Sequence, residues 1–521
     1  MRINNSIKNM SISILSQLII VLLGFISRKV FIDSLGVEYL GVNGLLTNVL
    51  SMLALIESGI GASIVYSLYK PLVENDKPKI IALIQLYKKA YRVVAIIIIF
   101  LSVILYPILE NLINSSESIP YIMIAYFIFV AKNMITYFNA HKESLINVDQ
   151  KGYILARLNI VFQIFITISK IMVLLLTNSF ILYLIIELII CIIQTIYNSK
   201  IVDKRYSYIK TKEKYYIDRL EKDSLIKNIK ALFLHNIGGY AVLGTDNILI
   251  ASFVGIATVG LYSNYSMIIG QLSSLLAPLF SGLGDSIGNL IASEKSDKSY
   301  SIFKVLYLVN FWIYSVSVIF LFNLLEPFVN WWLGEGYLLD SLTVLILFVN
   351  FYITGMRSSI FTFKVKGGIF VQDKYMPLIG AAINLGSSIV LVKYMGLAGI
   401  FLGTTISTLT VFWNAPYLVY KHIFNIPVWS YFKKYIFYLA LTLGTCFITT
   451  KICNLLVLDS SFMSILVKGI ICLIVPNLLY FSIFFRNREF QYIKNVSKNL
   501  LINLKLKFTS TTRPCNQKEV R

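Results

Sequence analysis

The feature that most constrains this chain is a series of long apolar segments, most of them close to the length that crosses a bilayer. Hydrophobic residues make up 57% of the sequence and the mean hydropathy is +0.73, which excludes a soluble globular protein. A helix needs roughly 20 apolar residues to span the hydrocarbon core. The predicted spans cover residues 10–33, 40–68, 90–110, 119–140, 154–177, 179–199, 231–253, 257–290, 302–325, 338–362, 376–394, 397–420, 432–455 and 462–485. We therefore predict an all-α integral membrane protein with about 14 transmembrane helices.

An internal repeat divides these helices into two halves. Gly36 and Gly41 open a segment that closes on the motif SGxGxSI, beginning at Ser58. Gly255 and Gly260 open a second such segment, which closes on the same motif and is longer by about one helical turn. Internal duplication is typical of transporter folds. The expected architecture is two pseudo-symmetric six-helix lobes followed by two C-terminal helices.

The predicted organisation follows from the spans and from the charged segments between them. It consists of an N-terminal six-helix lobe, a cytoplasmic basic linker, a C-terminal six-helix lobe, an additional helix pair and a basic tail. Their bounds are 1–199, 200–230, 231–421, 422–485 and 486–521. The sequence around 1–10 is interpreted as the start of an uncleaved first span.

Lysine and arginine give the orientation of the spans. The formal net charge is +21, but the basic residues lie between the apolar segments and not along one face of a soluble fold, so nucleic acid is not an expected partner. Lys and Arg are absent from five predicted outer loops, 34–39, 111–118, 254–257, 326–337 and 456–461. Cytoplasmic loops are the basic ones. We expect a multi-pass protein of the cell membrane with both termini in the cytoplasm.

The sequence carries no signature of an enzyme or a metal site. It lacks a GxxxxGK[ST] phosphate loop, an HExxH motif and a GxSxG elbow. The five cysteines show neither CxxC nor other metal-ligand spacing. No catalytic residue and no metal ligand are predicted.

Ionisable residues inside the apolar spans are the candidates for function, because a charge in the bilayer needs a partner or a polar cavity. The basic candidates are Arg28, Lys29, Lys132 and Lys170. The acidic candidates are Glu57 and Asp246. Three further charges, Arg157, Asp285 and Arg357, lie toward predicted cytoplasmic ends, where snorkelling accounts for them, and Glu187 is a natural partner for Lys170.

Arg28 and Asp246 occupy almost the same point of the two repeats, because they precede Gly36 and Gly255 by eight and nine residues. Both are expected near the middle of the membrane. If the repeats pair across a pseudo-twofold axis, the two charges face one central cavity. They would then either form a charge pair that holds the halves together, or provide a cation for an anionic headgroup and an acid for a proton or sodium ion.

Several segments resemble a known family. RKVFIDSLGVEYLGVNGLL begins at Arg28, IESGIGASIVYSLYKPLVENDKPKI follows it, and TDNILIASFVGIATVGLYSNYSMI contains Asp246. Together they resemble the oligosaccharide repeat-unit flippases of bacterial O-antigen and capsule synthesis. That family belongs to the multidrug, oligosaccharidyl-lipid and polysaccharide exporter superfamily, and the similarity covers nearly the whole chain.

The resemblance implies two six-helix lobes around a cavity that carries an undecaprenyl-pyrophosphate-linked oligosaccharide to the outer leaflet by alternating access. Arg28 matches a region where related polyprenyl flippases place pyrophosphate-binding arginines, with Lys29, Lys132 and Lys170 as further candidates. Asn43, Tyr66, Asn264 and Tyr265 are candidates for sugar contact. Asp246 or Glu57 would couple transport to protons or sodium, and no other cofactor is expected.

The partners that the resemblance implies are the lipid-linked oligosaccharide, membrane lipid, and polysaccharide polymerase and chain-length proteins. Three other functions stay open. A lipid II flippase uses the same carrier and pyrophosphate, and the fourteen spans resemble its arrangement, in which the extra helix pair would form a groove for the polyprenyl tail. A multidrug exporter of the same superfamily should have an acidic cavity. A polysaccharide polymerase should have a large outer loop with catalytic Arg or His, which no predicted outer loop here provides.

Overall fold

The computed structural model describes residues 2–57, 59–114, 121–149, 151–281, 284–369, 372–373, 375–456 and 461–495. Within these residues every regular element is helical. The α-helices are α1 (Arg2–Leu35), α2 (Val37–Leu53), α3 (Ile60–Glu74), α4 (Lys77–Asn114), α5 (Ile122–Val148), α6 (Tyr153–Thr177), α7 (Phe180–Arg205), α8 (Arg219–Leu243), α9 (Asp246–Phe253), α10 (Ile256–Ser281), α11 (Gly284–Ser293), α12 (Ser296–Leu333), α13 (Ser341–Met356), α14 (Ser358–Lys366), α15 (Met376–Met395), α16 (Leu397–Phe412), α17 (Asn414–Val419), α18 (Trp429–Leu456) and α19 (Phe462–Phe484). Short 3-10 turns cover Ala54–Glu57, Ser207–Lys210 and Glu335–Tyr337, and a π-helical turn covers Tyr420–Phe424.

Eleven helical stretches in the described part of the chain are long and apolar enough to cross a membrane. They coincide with predicted spans two to six and nine to fourteen. The three remaining predicted spans fall on α1, on α8 with α9, and on α10 with α11. The prediction of an all-helical, multi-pass membrane protein is confirmed.

Several predicted spans are interrupted helices, which corrects their predicted boundaries. The span predicted at 40–68 consists of α2, a 3-10 turn and α3, and Gly59 at the junction has φ +92°. Glycine reaches this left-handed region without the strain that a Cβ would cause. The repeat predicts the same break in the second half, at residues 282–283, which lie outside the described residues. The spans predicted at 231–253 and 338–362 are divided as well, between α8 and α9 and between α13 and α14.

The break between α13 and α14 is held by a buried amide. Asn310 of α12 donates from Nδ2 to the carbonyls of Gly355 and Met356, at 3.1 Å each. Gly355 also packs flat on the Tyr314 ring, where an added Cβ would lie 2.0 Å from Cδ1. The side chain of Asn310 therefore satisfies carbonyls that the interrupted helix leaves without an intrahelical partner.

Helices α4 and α12 occupy equivalent places in the two halves, and each has 38 residues. At 1.5 Å per residue they are roughly 57 Å long, nearly twice the thickness of the hydrocarbon core. Both begin before the spans predicted at 90–110 and 302–325, so we expect their N-terminal turns to extend beyond the apolar layer. Each also contains a proline close to its other end, Pro107 and Pro327.

The chain forms two compact units that do not follow its order. The first consists of Met1–Leu275, Gly336–Ile346 and Lys374–Val411. The second consists of Leu276–Glu335, Leu347–Asp373 and Phe412–Arg521. The predicted lobes at 1–199 and 231–421, with the linker, helix pair and tail between and after them, stay a prediction.

The second unit has an aromatic core. Phe311 of α12 stacks on Tyr438 of α18 with ring centroids 4.2 Å apart, and Tyr307 stacks on Tyr431 at 5.0 Å. The same unit contains an ion pair between Lys364 and Asp373 in which both side chains are 5% exposed. Neither aromatic stacking nor this pair was predicted from the sequence.

The segment between α7 and α8 is docked on the first unit. The Gln85 side chain of α4 donates to the Glu213 carbonyl at 2.7 Å and accepts from the Tyr215 amide at 3.1 Å. Tyr206 donates its hydroxyl to Asp149 Oδ2 at 2.5 Å, and Lys79 pairs with Glu221. Burial and the Asp149 carboxylate both raise the pKa of Tyr206, so its hydroxyl stays protonated as the donor.

Candidate substrate-binding site

Helices α2 and α10 cross at the two glycines that mark the repeat. A Cβ on Gly41 would lie 2.0 Å from the Ile256 carbonyl oxygen, and a Cβ on Gly260 would lie 2.2 Å from the Val37 carbonyl oxygen. Each glycine therefore packs against the carbonyl four residues before the other one. This reciprocal contact is what a twofold relation between the repeats predicts. It requires glycine at both positions because only a side chain without Cβ lets the backbones approach so closely.

Arg28 of α1 reaches the same helix about one turn further along. Its Nη1 donates to Ser263 Oγ at 3.0 Å, and its Nη2 lies 3.5 Å from Met267 Sδ. Ser263 in turn donates to the Gly260 carbonyl at 2.8 Å. No carboxylate among the described residues pairs with Arg28. The guanidinium is thus a half-buried positive charge near the Ser263 hydroxyl, the Met267 thioether and Tyr183, and none of these neutralises it at neutral pH, which leaves it able to bind an anion.

Asp246 is the first residue of α9, directly after the break that follows α8. Its side chain is 7% exposed, and Oδ1 has no hydrogen-bond partner among the described residues. The neighbouring Asn247 is also buried, and its Oδ1 is likewise without a partner there. A helix N-terminus stabilises a negative charge. Asp246 and Arg28 do not form an ion pair in the described part of the structure.

Lys132, Lys170 and Glu187 form a triad across α5, α6 and α7. Glu187 accepts from Lys170 at 2.6 Å through Oε2 and pairs with Lys132 through Oε1. The Lys170 ammonium also lies 4.1 Å from the centroid of the Tyr183 ring. The side chains of Lys170 and Glu187 are 14% and 15% exposed. The pairing of Glu187 with Lys170 was anticipated from the sequence, whereas the sharing of one carboxylate by two lysines was not.

Lys29 and Glu57 have different surroundings. Lys29 is exposed and lies 3.7 Å from Asp33, one turn along α1. Glu57 ends the 3-10 turn after α2 and faces the hydroxyls of Tyr91 and Tyr137. No described cation pairs with Glu57.

The four residues proposed for sugar contact are placed unequally. Tyr66 on α3 is 74% exposed and Asn43 on α2 is half-buried. Asn264 is fully buried, and both of its amide atoms lack a partner among the described residues. Tyr265 is also fully buried, and its hydroxyl accepts from the Leu339 amide at 3.1 Å. In this conformation only Tyr66 and Asn43 are open to a ligand.

Sequence reasoning missed the side chains that contact these charges. Ser263 and Met267 hold Arg28, Tyr183 covers Lys170, and Tyr91 and Tyr137 face Glu57. A signal existed for Ser263, because it lies three residues after a repeat glycine on a helix whose partner could be inferred from the repeat. The tyrosines carried no such signal in a chain that contains 33 of them.

A bundle of long apolar helices with an internal repeat and charges inside it defines a polytopic membrane transporter. A sequence model of the family described as "Polysaccharide biosynthesis protein" matches residues 6–284, which is more than half of the chain. The chain belongs to this family. No curated protein matches it.

Solved structures show the same fold. The lipid II flippase MurJ in an inward closed conformation superposes with a TM-score of 0.69 and 16% identity, over 92% of this chain and 99% of that one. An inward-facing multidrug resistance MATE family transporter of the MOP superfamily gives a TM-score of 0.53 and 12% identity, over 75% and 91%. The Vibrio cholerae MATE transporter VcmN in its bent form gives 0.52 and 13%, over 81% and 98%. These structures share the fold of this chain, and the family model confirms the predicted polysaccharide biosynthesis family.

Proposed function

We propose that this protein is a flippase that moves an undecaprenyl-pyrophosphate-linked oligosaccharide from the cytoplasmic to the outer leaflet by alternating access, for export of a surface polysaccharide. The observation that carries this proposal is Arg28, a cation inside an apolar helix with no carboxylate partner among the described residues. A pyrophosphate supplies the negative charge and the acceptor oxygens that this guanidinium lacks. Membership of the polysaccharide biosynthesis family supports the choice of an oligosaccharide as cargo.

The roles of the other candidates follow from their contacts. Lys132 and Lys170 share one carboxylate, so their triad keeps a net positive charge that adds to the attraction for an anion. Lys29 is exposed and would act at the entrance. Asn43 and Tyr66 would contact sugar in this conformation, and Asn264 and Tyr265 in one that opens their surroundings. Both termini would be cytoplasmic, and a polysaccharide polymerase and chain-length proteins would receive the product.

Arg28→Ala is expected to abolish most of the translocation, whereas Arg28→Lys should retain part of it because the charge remains. Loss of one charged hydrogen-bonding group costs about 1.5–3 kcal/mol, or roughly 10- to 100-fold in substrate affinity. The measurement is the leaflet distribution of the lipid-linked oligosaccharide in cells that lack the chromosomal copy and carry each variant at equal protein level. Lys451→Ala, which removes an exposed cation that packs on Phe447, is the control. Normal delivery to the outer leaflet with Arg28→Ala would contradict the assignment of Arg28.

Asp246 supports coupling to a cation gradient. A buried carboxylate oxygen without a partner is a favourable place for a proton or a sodium ion. We expect Asp246→Asn to slow translocation and to remove its dependence on the gradient, with a smaller effect for Glu57→Gln. The measurement is the translocation rate with and without a protonophore or a sodium ionophore. Glu74→Gln, at an exposed carboxylate, is the control. Full rates in both variants would rule out coupling through these acids.

Lipid II is the second candidate cargo, because the MurJ fold covers nearly the whole chain. The same cells separate the two candidates. Inner-leaflet accumulation of lipid II, with the oligosaccharide distributed normally, would assign the protein to peptidoglycan precursor transport. Arg28, which pairs with no carboxylate among the described residues, argues against a cationic drug as cargo, since its charge would repel one.

A further inference from the structure

A groove runs between α5 and α7 on the outside of the first unit. Its volume is about 450 Å³, and it is lined by Ile135, Phe138, Asn139, Ile192, Thr195, Ile196, Ser199 and Lys200. This volume lies within the range of roughly 300–1,000 Å³ that is usual for small-molecule sites. The groove has no part in the transport mechanism proposed above.

The groove presents mainly apolar side chains to a ligand, because its polar side chains Asn139 and Ser199 already form hydrogen bonds within the protein. Asn139 donates to the Thr195 carbonyl, and Ser199 Oγ accepts from Lys142 Nζ at 2.6 Å. Phe138 and Ile196 are 64% and 50% exposed, so their side chains face whatever surrounds the helices. A groove with such walls can bind a hydrocarbon chain through apolar contacts.

The end of the groove is basic. Lys200 lines it and is exposed, and Lys142 lies next to it on Ser199. Lys88 of α4 lies close to Lys142 and to Arg92 on its own helix. In this basic group of Lys88, Arg92, Lys142 and Lys200, the Asp203 carboxylate pairs with Lys142 at 2.8 Å and lies within electrostatic range of Lys88.

The side chain of Glu143 forms a hydrogen bond with Asn198, and no ion pair joins it to a described cation of the basic group. The basic group therefore keeps an excess of positive charge. It lies at the end of α7 that the lysine and arginine distribution assigns to the cytoplasmic leaflet. Basic pockets between helices at that level match the anionic headgroup of a lipid.

We propose that the groove between α5 and α7 binds an anionic phospholipid of the cytoplasmic leaflet, with an acyl chain against Phe138, Ile192 and Ile196 and the headgroup at Lys200. Charge complementarity selects this occupant over a zwitterionic lipid. The site is separate from Arg28 and does not depend on which lipid-linked sugar is transported.

The test is native mass spectrometry of the full-length protein in detergent, titrated with dioleoylphosphatidylglycerol or dioleoylphosphatidylcholine. The wild type should bind the first phosphatidylglycerol at least fivefold more tightly than phosphatidylcholine. Lys200→Gln should remove about fivefold of affinity for phosphatidylglycerol, the contribution of one basic residue at a membrane surface. Lys433→Gln, an exposed lysine in the second unit, is the matched control and should change nothing.

A second pair of variants tests the chain-binding part of the site. Ile196→Trp fills the groove and should weaken binding of phosphatidylglycerol, whereas Ile189→Trp, two turns away on the same face of α7 and outside the groove lining, should not. Equal affinity of the wild type for both lipids would overturn the proposal, since only surrounding lipid would then be bound. A dimer whose population falls with Ile196→Trp, or tighter binding of undecaprenyl phosphate than of phosphatidylglycerol, would assign the groove to another occupant and overturn it as well.

Discussion

A single methyl group at position 41 is expected to destabilise the protein and to stop transport. In Gly41→Ala the new Cβ would lie 2.0 Å from a backbone oxygen of α10, and Gly260→Ala would make the reciprocal clash with α2. Because the obstacle is backbone, no side chain can rotate away, and the two helices must separate. Overpacking of this kind costs on the order of 3 kcal/mol. The measurement is the thermal unfolding temperature of the purified protein, together with the leaflet assay.

The chain contains its own control for this prediction. Gly270 lies on the same helix as Gly260, and no atom lies within 4 Å of the position that its Cβ would take. Gly270→Ala should therefore leave stability unchanged or raise it slightly, since alanine favours a helix over glycine. The double variant at 41 and 260 should be less destabilised than the sum of the single variants, because both disturb one contact. Wild-type stability in Gly41→Ala would show that α2 and α10 do not cross this closely.

Glu187→Gln is expected to be the most damaging neutralisation of an acid in the first unit. The substitution leaves two ammonium groups next to each other with no counter-charge, and breaking a buried ion pair in this way costs about 3–5 kcal/mol. The measurement is thermal or denaturant unfolding of the purified protein. Asp33→Asn breaks the exposed pair with Lys29 and is the matched control, with an expected loss below about 1 kcal/mol.

A combined variant separates charge balance from packing. Replacing Lys132 and Lys170 by methionine and Glu187 by leucine removes all three charges at similar volume, and such replacements are often neutral or stabilising. We expect this triple variant to recover most of the stability that Glu187→Gln loses. If it does so but translocation stays low, the net positive charge of the triad acts on substrate. Equal stability of Glu187→Gln and wild type would contradict the triad.

The sequence was sufficient for the class of fold because hydropathy and charge act over whole segments. A span needs only its apolar length to be recognised, and the eleven described membrane helices fall where such lengths occur. The breaks inside spans were harder to predict, since a few residues and their contacts decide each of them. Gly59 begins a new helix with a φ of +92°, while Gly270 lies within a regular helix, although both are glycines inside predicted spans.

The sequence predicted which charged residues form the candidate site, but it did not predict the residues that contact them. Arg28 and Asp246 were identified because a charge in an apolar run is conspicuous. Whether Arg28 meets a carboxylate or a hydroxyl depends on how α1 is rotated against α10, which residue spacing within α1 does not determine. The same limit applies to Tyr265. The sequence made it a candidate for sugar contact, but in the structure it is fully buried.

The segment between α7 and α8 has a consequence for how the chain is made. Its partners named above, Lys79, Gln85 and Asp149, all precede it in the sequence, so these contacts are available once residue 221 has left the ribosome. Domains generally form in this order during synthesis. The first half can therefore be closed at this end while the second half is still being translated. The later helices would then be inserted after a segment that is already folded against the first half, and not after a flexible linker.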